Sequence, residues 1–252
     1  MRAAVSIGLI GTTDPRDIRS LAPRIERLGF SGLWLNDVPR GDSLAGLRVA
    51  ATVTETLGLA TGVIPLDRRP AASLDLSALP AERTTLGIGS GAARHPLRLV
   101  EDGIETLRRA TEASVVVGAL GPRMRRLAAE RADGVLFNWL TPAAAASAMS
   151  DLHDAARLRS VRGVLYVRTI AEPDARAALE HEADRYGSVP SYAANFERLG
   201  IRAIDATIGD AEGLAAFDVV DELVLRAITT TGSLVELERF VEEVAGWRST
   251  AG

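Results

Sequence analysis

The chain has 252 residues, 47% of them hydrophobic and only 4% aromatic, which is enough aliphatic material for one large core of strands covered by helices. A formal net charge of -4 provides no broad basic surface, so nucleic acid and anionic lipid are not expected as partners. The absence of Cys excludes disulfides, thiolate nucleophiles and Cys-ligated metals. No apolar run reaches the ~18 residues of a membrane span and the N-terminus has no signal-peptide core, so the expectation is a cytoplasmic protein acting on a small molecule.

Apolar runs and helix-period segments alternate along the sequence. Ala4–Ile10 (AVSIGLI) reads as a buried strand. Asp14-Pro15 then supplies an N-cap and first helical position, Ile18, Leu21, Ile25 and Leu28 form one face, and Gly29 ends the helix. Gly32–Asn36 is the second strand, Leu44–Leu57 the second helix and Leu59–Pro65 the third strand, followed by a short, weakly patterned crossover over Pro70–Pro80. Thr84–Ile88 is the fourth strand, and the helix after it turns Leu97, Val100, Ile104 and Leu107 inward. Ser114–Ala119 and Gly134–Asn138 are strands five and six, each followed by a helix, Pro122–Arg131 and Pro142–Leu158. Val161–Ile170 is strand seven, leading to helical Asp174–Tyr186 and Tyr192–Leu199. Ile201–Val220 reads as irregular because Asp205, Gly209 and Asp210 interrupt it, a ninth strand at Ala203–Ile208 being the alternative. Asp221–Ile228 is strand eight, and Ser233 with Glu236 forms a capping box before the last helix. Eight strand-then-helix units predict one α/β domain over residues 1–252, a (β/α)8 TIM barrel, with a doubly wound open sheet as the alternative.

A parallel barrel builds its site from the turns after its strands. Gly87-Ile88-Gly89-Ser90-Gly91 and Gly121-Pro122-Arg123 both suit an anion, the first by open backbone N–H groups and the second by a helix start with Arg123 beside it. The same glycines also serve tight turns. Gly62 marks a bulge or a close approach within strand three. Asp37 ends strand two as a mouth carboxylate or a turn residue, and His95 faces either the site or solvent. No histidine pair has metal-ligand spacing, there is no dinucleotide fingerprint, and with no Lys in the chain a Schiff-base aldolase is excluded.

The segment VVVGALGPRMRRLAAERADGVLFNWLTP, Val115 to Pro142, resembles the luciferase-like superfamily, and within it the coenzyme F-420-dependent oxidoreductases that include methylenetetrahydromethanopterin reductases. RIERLGFSGLWLND (Arg24–Asp37), LGLATGVIPLDRRP (Leu57–Pro70) and ERTTLGIGSG (Glu82–Gly91) support the likeness, which is clear to Pro142 and looser afterwards. The resemblance implies a non-prolyl cis peptide at Gly62–Val63 bulging against the cofactor ring. It places Asp37 beside that ring and phosphate contacts at Ser90, Gly91 and the run Gly121, Pro122, Arg123 and Met124; Asn36, Ala119 and Leu120 are further candidate cofactor contacts. Asp37 is the titratable group expected beside the ring, and His95, read from its place after the glycine-rich loop and not from the resemblance, is the second candidate proton carrier. The chain departs from the family at Val38, where many members have His, and between Arg109 and Ser114, where most carry an insertion. The leading expectation is hydride transfer between coenzyme F-420 and an organic substrate, in a homodimer. An FMN-dependent monooxygenase is the first alternative and a non-catalytic flavin- or deazaflavin-binding barrel the second. An unrelated phosphate-binding barrel is the remaining one.

Overall fold

A computed structural model describes residues 1–157 and 159–250. Eight parallel strands carry the architecture: β1 (Ala4–Ile10), β2 (Gly32–Asn36), β3 (Gly58–Thr61, resumed at Ile64–Pro65), β4 (Thr84–Gly89), β5 (Ser114–Gly118), β6 (Gly134–Asn138), β7 (Arg162–Thr169) and β8 (Glu222–Ala227). β8 pairs with β7 on one side, Leu225 opposite Val167, and with β1 on the other, Ile7 opposite Leu225. The sheet therefore closes on itself as a (β/α)8 barrel, and the open-sheet alternative is excluded.

Helices α1 (Pro15–Arg27), α2 (Ser43–Ala51), α3 (Pro96–Ala110), α4 (Pro122–Arg131), α5 (Pro142–Ala156), α6 (Arg176–Gly187), α7 (Pro190–Leu199), α8 (Ala211–Ala216) and α9 (Leu234–Thr250) surround it. Several starts are set locally: Asp14 Oδ1 accepts from the Arg16 N–H at 2.7 Å, and Asp42 Oδ1 from Ala45 at 3.2 Å. Among the described residues no helix is long and apolar enough to cross a membrane.

The third crossover, weakly patterned in the sequence, contains only the 3₁₀ turns Ala71–Ser73 and Ala81–Arg83, since Pro70 and Pro80 bracket a stretch with no helical stripe. Four expectations are corrected. The segment read as irregular holds a 3₁₀ turn at Ala203–Ala206, a two-residue strand Thr207–Ile208 on the end of β7, and α8. Asp205 and Asp210 organise it as caps rather than interrupting it, Asp210 Oδ1 accepting from Gly213 N–H at 2.7 Å. Before α9, Glu236 reaches past Ser233 to the N–H groups of Thr231 and Gly232, at 2.8 and 3.0 Å. α2 ends at Ala51, well short of Leu57, and α5 ends at Ala156, with Leu158 outside the described residues.

Two apolar layers result. The larger lies between the strands and the helices. The smaller fills the bore with Trp34, Ala60, Val116, Leu136, Val164, Tyr166 and Val224. Trp34 and Tyr166 fit because small residues face them: a Cβ on Gly8 would meet the Tyr166 hydroxyl at 2.8 Å, and one on Gly62 would meet Trp34 at 3.1 Å. At the bottom of the bore the Glu222 carboxylate accepts from Ser6 Oγ and Trp34 Nε1, both at 2.7 Å, and pairs with Arg162 at 3.1 Å.

Candidate active site

β3 is interrupted where the site begins. The Gly62–Val63 bond is cis, as the resemblance implies, and the chain turns outward before pairing resumes at Ile64. Glycines on the next two strands receive the Val63 side chain. A Cβ on Gly89 would lie 2.9 Å from its Cγ2, and one on Gly118 2.9 Å from its Cγ1. Gly87 likewise leaves room for the Thr61 carbonyl, while the Thr61 hydroxyl accepts from Gly87 N–H at 2.8 Å and donates to Gly87 O at 2.9 Å. Gly91 adopts φ +57°, and a side chain there would overlap the Asp67 carboxylate, which accepts from Ala92 N–H at 2.9 Å. The glycines of the β4 loop thus seat a neighbouring strand and an internal carboxylate.

Beside this bulge lies a cleft of about 750 Å³ at the C-terminal ends of the strands. Asn36, Asp37, Gly62, Val63, Ser90 and Gly91 line it, as do Ala119, Leu120, Gly121 and Met124. Pro122, Arg123 and His95 lie outside. With Arg94, Pro96, Leu97 and Arg98 they edge a second hollow of about 600 Å³, which shares Gly121 and Met124 with the cleft. His95 is exposed there, at the N-cap of α3. Gly121 caps α4 without a side-chain acceptor, and the first intrahelical bond runs from Arg125 N–H to Gly121 O at 3.1 Å. The N–H groups of Arg123 and Met124 therefore precede the helical ladder, and a Cβ on Gly121 would meet nothing within 4 Å. The side chain of Asp37 is buried. Its Oδ2 accepts from Ser43 Oγ at 2.9 Å and pairs with Arg69, and among the described residues no hydrogen bond reaches Oδ1. Asn36 Oδ1 accepts from Gly11 N–H at 3.0 Å, tying the ends of β1 and β2 together.

The far wall comes from residues that the sequence reading did not single out. Arg168, 2% exposed, sits between the faces of Trp139 and Tyr186, with its guanidinium carbon 4.2 and 4.6 Å from their ring centres. Its Nε pairs with Glu182 at 2.9 Å, and its Nη1 donates to Asn138 Oδ1. Asn138 Nδ2 donates to the Tyr192 hydroxyl at 3.3 Å. Burial alone would raise the Glu182 pKa, but Arg168 and Arg226 outweigh it and hold the carboxyl below its ordinary range. Burial pushes the Tyr166 phenol up to about 12, and its hydroxyl has no hydrogen-bond partner. The signal for Arg168 was present in VLYVRTI, a charged residue in an otherwise apolar strand and in phase with the inward Val164 and Tyr166.

The luciferase-like monooxygenase family matches residues 3–114 and 100–251. The chain belongs to this family. A 5,10-methylenetetrahydromethanopterin reductase from Archaeoglobus fulgidus is 28% identical over 153 residues, and the chain spans 46% of that relative's length and 45% of its own. The coenzyme F-420-dependent tetrahydromethanopterin reductase of Methanopyrus kandleri superposes with a TM-score of 0.78 at 18% identity, covering 97% of this chain and 98% of that one. The oxygenating constituent of Pseudomonas putida 3,6-diketocamphane monooxygenase, solved with FMN, gives 0.66 at 13% identity over 96% and 97%.

This luciferase-like barrel has features that fit a phosphate-bearing tricyclic cofactor. The cleft lies within the few-hundred to 1,000 Å³ range of ligand pockets and is walled by the Val63 bulge. The open position at Gly121, at an uncapped helix start, suits an anion. Val38 also lines the cleft; the connection from α3 to β5 is three residues long and lies at the opposite, N-terminal end of the strands, so it carries no insertion and takes no part in the mouth.

Proposed function

We propose that this luciferase-like barrel is an oxidoreductase that transfers a hydride between the deazaflavin coenzyme F-420 and an organic substrate. The observation that supports the deazaflavin over FMN is the hollow that continues from the cleft through Gly121 and Met124. Arg94, His95, Arg98 and Arg123 line it and no acid does. Coenzyme F-420 extends beyond its phosphate into a carboxylate-bearing tail, whereas FMN ends at its phosphate. A cationic hollow past the phosphate site complements the longer anion.

When bound, the deazaflavin supplies the hydride chemistry. Val63 would back the ring, and the α4 start, through the N–H groups of Arg123 and Met124, would hold the phosphate. Asp37 would be the proton carrier at the cleft: Arg69 and Ser43 fix its Oδ2, and among the described residues no hydrogen bond reaches Oδ1. Tyr186, Val189, Pro190 and Tyr192 wall the side of the cleft beside Arg168 and exclude water there.

Titration of the purified protein with coenzyme F-420 and with FMN, followed by absorbance and fluorescence, tests this reading. The expected result is at least tenfold tighter binding of coenzyme F-420, a preference that Arg94→Gln combined with Arg98→Gln removes. Tight FMN binding with no deazaflavin binding overturns it.

A further inference from the structure

We propose that the hollow between the ends of β1 and β8 is a second small-molecule site, in which Arg226 pairs with the carboxylate of an organic monoacid. The hollow measures about 400 Å³ and is separate from the cofactor cleft. Arg226 stands beside Arg168 in the β7–β8 register, and both are inward and buried, Arg226 being 7% exposed. Their surroundings differ. Arg168 has Glu182, Asn138 and two aromatic faces. Arg226 donates only to the carbonyl of its neighbour Ala227; its Nε is buried without a partner, and among the described residues no carboxylate lies within ion-pair distance. Two adjacent buried guanidiniums therefore share one carboxylate, and the uncompensated charge lines the hollow.

The rest of the lining defines the ligand. Ile10, Ile228 and Leu237 supply apolar wall, and Ile10 is exposed to the hollow although it is a large aliphatic side chain. Thr12, Thr229 and Thr230 add hydroxyls. Three acids also touch the space: Glu182, bound to Arg168; Asp14, which caps α1; and half-buried Asp17 at the rim. They penalise a dianion, so the planar, singly charged carboxylate matches the guanidinium fork better than a phosphate monoester. Glu182 lines this hollow while its partner Arg168 lines the cleft, so their ion pair lies between the two spaces. A substrate anchored at Arg226 would direct its other end past that pair toward the cofactor. This last step alone rests on the cofactor reading of the cleft.

Calorimetric titration with hexanoate, hexanamide and hexyl phosphate tests the site without any cofactor. The parent protein should bind hexanoate at least tenfold more tightly than the amide and more tightly than the phosphate. Arg226→Gln should abolish the preference for hexanoate over the amide, Arg226→Lys should keep part of it, and circular dichroism reports whether each is folded. Thr230→Glu, on an exposed rim position, should weaken hexanoate binding by like charge and covers the case in which Arg226→Gln does not fold. Equal binding of acid and amide by the parent, a preference that survives Arg226→Gln, or tighter binding of hexyl phosphate overturns the proposal. Failure of coenzyme F-420 to bind a protein that still prefers hexanoate would refute the cleft reading and leave this site standing.

Discussion

Replacing Glu182 by Gln removes the carboxylate that pairs with buried Arg168 beside buried Arg226 while preserving the shape of the side chain. The Glu182 side chain is 17% exposed and that of Arg168 3%, so solvent screens the pair weakly. Breaking a buried pair by removing one charge costs about 3–5 kcal/mol. Gln still offers an oxygen to Arg168 Nε, and the Trp139 and Tyr186 faces remain, so the lower end, about 3 kcal/mol, is expected. For a protein of this size that corresponds to a fall of about 6–12 °C in melting temperature. The effect also has a pH signature. The folded carboxyl of Glu182 lies below its ordinary value, so its contribution is complete above the unfolded pKa of about 4.3 and is lost as pH falls through the lower folded value. The gap between parent and variant should therefore be constant from pH 5 to 7 and shrink in more acidic buffer. Urea unfolding at several pH values measures both. A gap below about 1 kcal/mol at pH 7, or one that widens in acid, refutes the view that Glu182 is the counter-ion of the mouth.

Three further outcomes follow from the cleft. Gly118→Ala places a Cβ 2.9 Å from Val63 Cγ1, which should cost about 1–3 kcal/mol of stability and weaken cofactor binding together, as read by melting and by fluorescence titration. A Cβ at Gly121 meets no atom within 4 Å, so Gly121→Asp should leave the melting temperature essentially unchanged while its charge weakens coenzyme F-420 and FMN binding at least tenfold; unchanged affinity would move the phosphate elsewhere. Asp37→Asn leaves Arg69 its second partner, Asp42 at 3.2 Å, so urea unfolding should show a loss of about 1–2 kcal/mol, and turnover should fall more than cofactor binding does.

What the sequence made legible was whatever local chemistry determines. Strand and helix periods produced the barrel, and Asp14-Pro15 with Gly29 marked both ends of α1 because capping needs only neighbouring residues. The bulge was legible at Gly62 for the same reason. The partners of the loop glycines were not: that Gly89 and Gly118 flank Val63, or that Asp67 closes onto Ala92 N–H, depends on strand register, which spacing along one strand does not contain. His95 was ambiguous for a related cause. Its position after a glycine-rich loop fits either side of α3, and the packing of α3 against its neighbours puts it outside the cleft. The helices after β7 were legible only as helices, yet they deliver Tyr186, Tyr192 and Glu182 to the mouth through contacts more than ten residues distant in sequence.

Strand β8 carries inward charge at both ends of the bore, and the two ends are treated differently. Glu222, at the closed end, has three partners: Ser6, Trp34 and Arg162. Arg226, four residues on at the open end, has one backbone carbonyl and a buried, unpartnered Nε. A charge fully satisfied by the protein contributes to folding, whereas an unsatisfied one opposes folding unless something else pairs with it. The two conservative changes should thus act in opposite directions. Glu222→Gln weakens three charge-assisted contacts and should cost about 2–3 kcal/mol, tempered by the part-exposed Arg162. Arg226→Gln relieves a buried charge and should leave stability unchanged or raise it by up to about 1 kcal/mol, as expected where a site is built at the expense of the fold. Urea unfolding of both variants in carboxylate-free buffer makes the comparison. Adding hexanoate should then stabilise the parent and Glu222→Gln proteins but not Arg226→Gln. If Arg226→Gln is destabilised as much as Glu222→Gln, Arg226 is a structural residue and the hollow beside it loses its claim to a ligand.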